Sequence, residues 1–200
     1  MKQTFSDTTK PISRRAFLSL TGALSLGVAT VGIPLPTEAV KFDRTLYKVS
    51  KSQLGLGTFI NIIVFHPSEE EAEEAMGRAF DEINRLTSLM TRFQSSSYIG
   101  HLNAAGSLKG APSEVMEVLR SSLRYHTISQ GAFDITVMPI VDLYQRSFQT
   151  NNAPPSRQTL QETMDRVGSQ HLTMTKDSVS FARSGMEVTL DGIAKGYIID

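Results

Sequence analysis

The sequence predicts an α+β fold in which a mixed sheet packs against helices, and three observations predict it. Residues 55–66 read GLGTFINIIVFH, an aromatic and β-branched run suited to a long strand. A helix with one apolar face follows directly. Short strand-like stretches then cluster at 171–175, 179–182 and 187–190, after a series of helices.

The first helix opens at Pro67-Ser68, where Ser68 and Glu71 have capping-box spacing and glutamates fill the positive first turn. Ala72, Ala75, Met76, Ala79, Phe80, Ile83, Leu86 and Met90 recur at helical spacing and form its buried face. The acidic run 69–74 is the solvated face of this helix, with no metal role. A short helix is expected over 95–105, ending near Gly106. Ser113 is read as the cap of a helix running to about Gln130, where Gly131 stops it. Pro139 starts another, through about Phe148. Residues 150–156 read as a turn-rich linker and 157–167 as helix. The turn Lys176-Asp177-Ser178 joins the first two late strands, and the chain turns helical again from Gly192. A domain rarely ends two turns into an uncapped helix, so the 200 residues are expected to be a fragment.

Composition narrows the function classes. Lysine plus arginine equals aspartate plus glutamate at 20 each, so no basic field exists to hold nucleic acid. There are no cysteines, which excludes disulfides, thiolate metal sites and a lipid-modified N-terminal cysteine. Residues 1–39 read as a targeting segment. Ser13-Arg14-Arg15-Ala16-Phe17-Leu18 resembles the twin-arginine export signal, a charge-free stretch follows to Ile33, and Thr37 and Ala39 are small residues at a peptidase position. Cleavage is expected after Ala39. The protein is then exported to the periplasm or the outer face of the cytoplasmic membrane.

Simple catalytic signatures are absent. The histidines (His66, His101, His126, His171) lack zinc spacing, and there is no GxSxG elbow, dinucleotide fingerprint or phosphate loop. Three segments stand out instead. Residues 87–103 end a helix in a polar turn holding Phe93, which is either a plate for a flat ring or a core aromatic. Residues 131–140 place Ala132, Phe133 and Asp134 after a glycine; Asp134 either receives a ribose, ribityl or base donor or caps the following turn. Residues 190–197 form a strand–turn–helix junction around Asp191, whose free helix amides suit a phosphate and whose carbonyls suit a hard cation.

Taken together and in this order, these segments resemble the ApbE family of FAD:protein FMN transferases, from about Leu54 to Asp200. Leu56-Gly57-Thr58 is similar to the family's Met-Gly-Thr. Residues 89–103 match its Met-Ser-x-aromatic stretch and the Ser-rich pattern after it. Residues 131–140 match Gly-x-Phe-Asp-x-Thr-Val-x-Pro-Leu, and 190–200 match the Ala-Lys-Gly-Tyr element. The resemblance implies an ApbE-like, T-fold-like mixed sheet, incomplete here, with 40–200 as the N-terminal portion of the domain. It implies that Phe93 flanks the isoalloxazine ring, that Ala132, Phe133 and Asp134 line the FAD site, and that Asp191 contacts FAD. Tyr197 then sits near the flavin nucleotide, Lys195 near phosphate, and Ala194 offers its carbonyl to Mg2+. Leu56 replaces a methionine, and Phe93 stands where Tyr or Trp is common. The remaining metal ligands, an Asp and a Thr, are expected beyond Asp200.

The implied reaction moves FMN from FAD to a Thr or Ser hydroxyl of an acceptor protein as a phosphoester, with Mg2+, releasing AMP. The implied acceptor is a membrane redox subunit. The alternatives are an FAD pyrophosphatase and an exported flavin-binding protein without catalysis. No general base stands out in the sequence.

Overall fold

The computed structural model describes residues 37–43 and 45–200, so the twin-arginine string and its apolar run lie outside the described residues. Two three-stranded antiparallel sheets flank a helical layer. The first has the order β1 (Glu38–Lys41), β2 (Tyr47–Gly55), β3 (Thr58–His66). The expected cleavage point after Ala39 falls inside β1, where Ala39 pairs with Val49.

The long strand read over 55–66 is in fact the second arm of a hairpin. β2 and β3 pair from Tyr47–His66 down to Gly55–Thr58 and are joined by Leu56-Gly57. Both turn residues have positive φ, 53° and 74°, the left-handed geometry that matches strand twist in a two-residue hairpin. Glycine adopts it freely, whereas leucine carries a cost of roughly 1–2 kcal/mol. Packing of the Leu56 side chain against the main core offsets part of that cost. The inward face of β2 hid the strand, because Val49 shares it with Lys51 and Gln53. Lys51 lays its ammonium over the Phe80 ring at 5.8 Å, and Gln53 Nε2 donates to Asn84 Oδ1 at 3.1 Å. Both polar residues therefore serve as core-facing positions.

Helix α1 (Glu69–Met90) follows, capped as expected by Ser68 Oγ accepting from Glu71 N–H. Ala72, Met76, Phe80, Ile83, Leu86 and Met90 are its buried residues. Burial of each large side chain contributes roughly 1.5–3 kcal/mol. Val49, Ala72 and Met76 join α1 to the first sheet. The opposite face of that sheet exposes Phe59, Ile63 and Phe65, with Phe42 edge-on to Phe65 at 5.0 Å.

Helices α2 (Tyr98–Ala105), α3 (Ser113–Ile128), α4 (Met138–Asn151) and α5 (Arg157–Met164) come next. Pro112, in extended geometry, is the N-cap of α3, and Ser113 is its first helical residue with no capping bond, contrary to the sequence reading. Helix α4 starts one residue before Pro139 and runs past Phe148 to Asn151, so the linker begins two residues later than read; Asn152 closes the helix in left-handed geometry.

The second sheet has the order β4 (Ser107–Lys109), β6 (Ser178–Phe181), β5 (Leu172–Met174), of which β4 was not foreseen. The strand expected over 187–190 is not one. Val188 N–H donates to Asn103 Oδ1 at 2.8 Å, and Asn103 Nδ2 donates back to Val188 O at 2.9 Å. Thr189 N–H donates to Ile135 O at 2.8 Å. A side-chain amide thus stands where a neighbouring strand would be, and the β-like composition of the segment reports its burial. Asn103→Ala is expected to cost about 2–3 kcal/mol, since it leaves both polar groups of buried Val188 without partners. Chemical denaturation checks this. Helix α6 (Ala194–Ile199) ends the chain. Among the described residues, no helix is long and apolar enough to cross a membrane.

Candidate functional site

The segment 187–193, which ends in a turn over 191–193, gathers the other two marked segments around it. At its upstream end, Asn103 ties it to α2 and Ile135 to the loop after α3. Further along, a Cβ on Gly192 would lie 3.2 Å from Phe133 Cε2, so the absence of a side chain there lets the Phe133 ring close onto the turn. Asp191 meets Arg92, whose Nε donates to Asp191 Oδ2 at 3.2 Å. The Arg92 guanidinium also lies 4.1 Å from the Phe93 ring centroid.

Each partner is held locally. Thr91 closes α1, and its carbonyl accepts a short hydrogen bond from Ser97 Oγ. Ser97 Oγ in turn accepts from Gly100 N–H at 2.9 Å, capping α2. The turn carrying Phe93 is thereby pinned at both ends while its ring stays 62% exposed. The loop after α3 is folded back on its own helix. Gly131 N–H donates to His126 O at 2.9 Å, and Phe133 N–H to Ser129 Oγ at 2.9 Å. His126 Nδ1 faces Phe133 O at 3.1 Å and Asp134 Oδ2 at 3.2 Å.

Asp134 is the hub of that loop. Oδ1 accepts from Thr136 N–H at 2.8 Å, Thr136 Oγ1 at 2.6 Å and Ser169 Oγ at 2.8 Å, and Oδ2 accepts from Ser169 N–H at 3.0 Å. Burial pushes its carboxyl up, but the hydrogen bonds from Thr136 and Ser169 outweigh it and hold the pKa below the ordinary value. Of the two roles open to Asp134 in the sequence, the structure displays the capping one.

The family model of ApbE matches residues 56–200. The chain belongs to the ApbE family. It is 28% identical over 154 residues to an FAD:protein FMN transferase of Klebsiella pneumoniae (strain 342), covering 72% of this chain and 43% of that protein. Among solved structures, a mutant of the flavin transferase ApbE from Vibrio cholerae superposes with a TM-score of 0.64 at 22% identity, covering 76% of this chain and 54% of that one. The ApbE protein from Thermotoga maritima gives 0.65 at 21% identity, covering 76% and 50%. These structures agree with the α+β reading of the fold. The chain spans about half the length of the relatives it matches.

The ApbE-like residues fall into two groups. Phe133 lies against Gly192, and Arg92, next to Phe93, meets Asp191; Asp134 adjoins Phe133 but bonds to Thr136 and Ser169, with Ala132 exposed on the same loop. Leu56 sits apart in sequence, at the tip of the β2–β3 hairpin, and packs against the main core, as Phe133 does. Ala194 is buried and Lys195 exposed on the first turn of α6. The Tyr197 hydroxyl donates to Glu117 Oε2 on α3 at 3.0 Å, and its pKa is raised by burial and by that acceptor.

One expectation is corrected by the amides at the start of α6. The N–H groups of Ile193 and Ala194 both donate to Leu190 O, at 3.0 and 2.8 Å, so this junction closes as a turn and those two amides are not free for a phosphate. The sequence reading also missed Arg92, His126 and Ser169. Arg92 is adjacent to Phe93 and could have been flagged; Ser169 lies 35 residues from Asp134, with nothing local to mark it.

The residues present fit a flavin better than a metal. The exposed Phe93 ring suits a flat heterocycle, and Arg92 brings a cation to the same place. Among the described residues, no three His, Asp or Glu side chains gather closely enough to hold a metal ion. These residues do not by themselves compose a magnesium site. A polar groove of about 580 Å³ borders the segment, lined in part by Asn103, Ser180, Arg183 and Glu187. Burial raises the pKa of Glu187, and Asp142 adds to the shift.

Proposed function

We propose that the protein is a flavin transferase, moving FMN from FAD onto a Thr or Ser hydroxyl of an acceptor protein. The observation that carries the reading is the exposed Phe93 ring, held beside Arg92 and Asp191 where the three family-like segments meet. The names of the relatives support the same reaction. In the proposed step the acceptor hydroxyl oxygen bonds to the phosphorus on the FMN side and loses its proton. The bond from that phosphorus to the bridging oxygen breaks, and AMP leaves. The chain's residues contribute positioning: Phe93 stacks the isoalloxazine, Phe133 backs the turn at Gly192, and Asp134 keeps the loop in place. Arg92 and Lys195 supply positive charge toward the pyrophosphate.

Magnesium dependence belongs to the proposal through the resemblance, with the Ala194 carbonyl as this stretch's contact. When bound, the metal neutralises charge on the phosphates. The acceptor is proposed to be a membrane redox subunit. The twin-arginine-like segment supports export to the periplasm or the outer face of the cytoplasmic membrane.

Phe93→Ala is expected to weaken FAD binding by about tenfold or more, the scale of a lost aromatic stack, with little change in thermal stability because the ring is exposed. Flavin fluorescence titration beside a melting curve checks this. The fate of FAD tests the reaction. AMP release that requires an acceptor peptide supports transfer. Release without one, at an undiminished rate, identifies a pyrophosphatase, and tight FAD binding with no AMP identifies a carrier.

A further inference from the structure

Resting on the flavin reading, we infer that His126 is a positioning residue for the FAD site, setting the place of Phe133 through a ring hydrogen bond to its carbonyl, with the Asp134 carboxylate beside the same nitrogen. Nδ1 faces two acceptors, the Phe133 carbonyl at 3.1 Å and Asp134 Oδ2 at 3.2 Å. A ring nitrogen facing a carbonyl oxygen must carry the proton, so Nδ1–H donates to the Phe133 carbonyl, while the Asp134 carboxylate stands within ion-pair distance of the same nitrogen. Neither acceptor can supply that proton itself, and Oδ1 is already committed to Thr136 and Ser169.

The contact is built into the loop. His126 O receives Gly131 N–H at 2.9 Å, so the same residue grips the loop by its backbone and its side chain. A Cβ at Gly131, where φ is +86°, would stand 3.7 Å from His126 Cε1, so the chain passes close over the ring. Tyr125, the preceding residue, meets the Phe133 ring edge-on at 6.3 Å. From Phe133 the effect passes to Gly192, which the ring touches, and so to the segment bearing Asp191. A histidine on α3 thereby fixes the register between the second and third flavin-site segments without reaching the flavin.

The test uses His126→Leu and His126→Asn in the full chain. Leucine keeps bulk without a donor, and asparagine places an amide N–H near the Nδ1 position. Hydrogen exchange of amides 131–134 without FAD, FAD affinity, and kcat at saturating FAD are measured together. For His126→Leu, exchange at 131–134 is expected to quicken and the FAD Kd to rise roughly five- to tenfold, with kcat within about twofold of wild type. His126→Asn is expected to restore both. If His126→Leu does not fold, His126→Phe, which keeps a flat ring without a donor, takes its place with the same expectation. Unchanged exchange and FAD affinity in the donor-less variant overturn the inference while leaving the flavin reading intact. So does a His126→Asn protein as impaired as His126→Leu. A wild-type chain that binds no FAD overturns both.

Discussion

Gly100→Ala is expected to destabilise the protein by roughly 3 kcal/mol or more, the upper end of what overpacking costs. The added Cβ would lie 2.0 Å from the Gln94 carbonyl oxygen and 2.8 Å from its carbon. Both are backbone atoms, and no rotamer change relieves the clash. The carbonyl is also held in place, since Ser97 N–H donates to it at 3.1 Å. Relief must come from moving the 91–97 turn away from α2, which strains the Ser97 cap and displaces Phe93. The variant is therefore expected to lose stability and FAD affinity together, unlike Phe93→Ala, which loses only the second. Urea unfolding followed by flavin titration separates the two patterns.

Asp134→Ala is expected to cost roughly 3–5 kcal/mol, the scale for removing one partner of a buried charged network. The side chain is 10% exposed, and its loss strands Thr136 N–H, Ser169 N–H and two hydroxyls. Asp134→Asn keeps an acceptor for Thr136 but turns an amide toward Ser169 N–H and His126, and falls between. The same network carries a pH signature. The folded carboxyl is held below its ordinary value of 3.8. Its contribution is therefore complete above the unfolded pKa and is lost as pH falls below about 4 through the folded pKa. Wild-type stability should fall in that acid window, and the alanine variant should be flatter there. Melting temperatures taken from pH 7 to pH 2.5, a range chosen to span the carboxylate pKa, check both statements.

Local physics made much of this legible. The 3.6-residue spacing of α1 and its Ser68 cap are visible because every participant lies within a few turns. The β5–β6 hairpin and the capping role open to Asp134 are local in the same sense. What escaped the sequence depends on partners far away in the chain. Lys51 and Gln53 make β2 look polar, although Phe80 and Asn84 on α1 receive them. Residues 187–190 look like a strand because they are extended and buried, but their partner is the side chain of Asn103, 85 residues away. Ser169 and His126 share Asp134 with no spacing that signals it. At the start of α6 the Leu190 carbonyl takes the amides of Ile193 and Ala194, a turn closure that the sequence does not mark. Arg92, which links Phe93 to Asp191, was the nearest omission.

On the proposed function, this surface presents FAD for transfer to a protein. Intact mass spectrometry of an acceptor peptide bearing one Thr, after incubation with the full chain, FAD and Mg2+, tests it most directly. The expected result is an FMN adduct on the threonine, one AMP released per adduct, and loss of both with Phe93→Ala at subsaturating FAD. AMP released while the peptide mass stays unchanged, or an adduct formed equally well by the Phe93→Ala protein at the same FAD concentration, would contradict it.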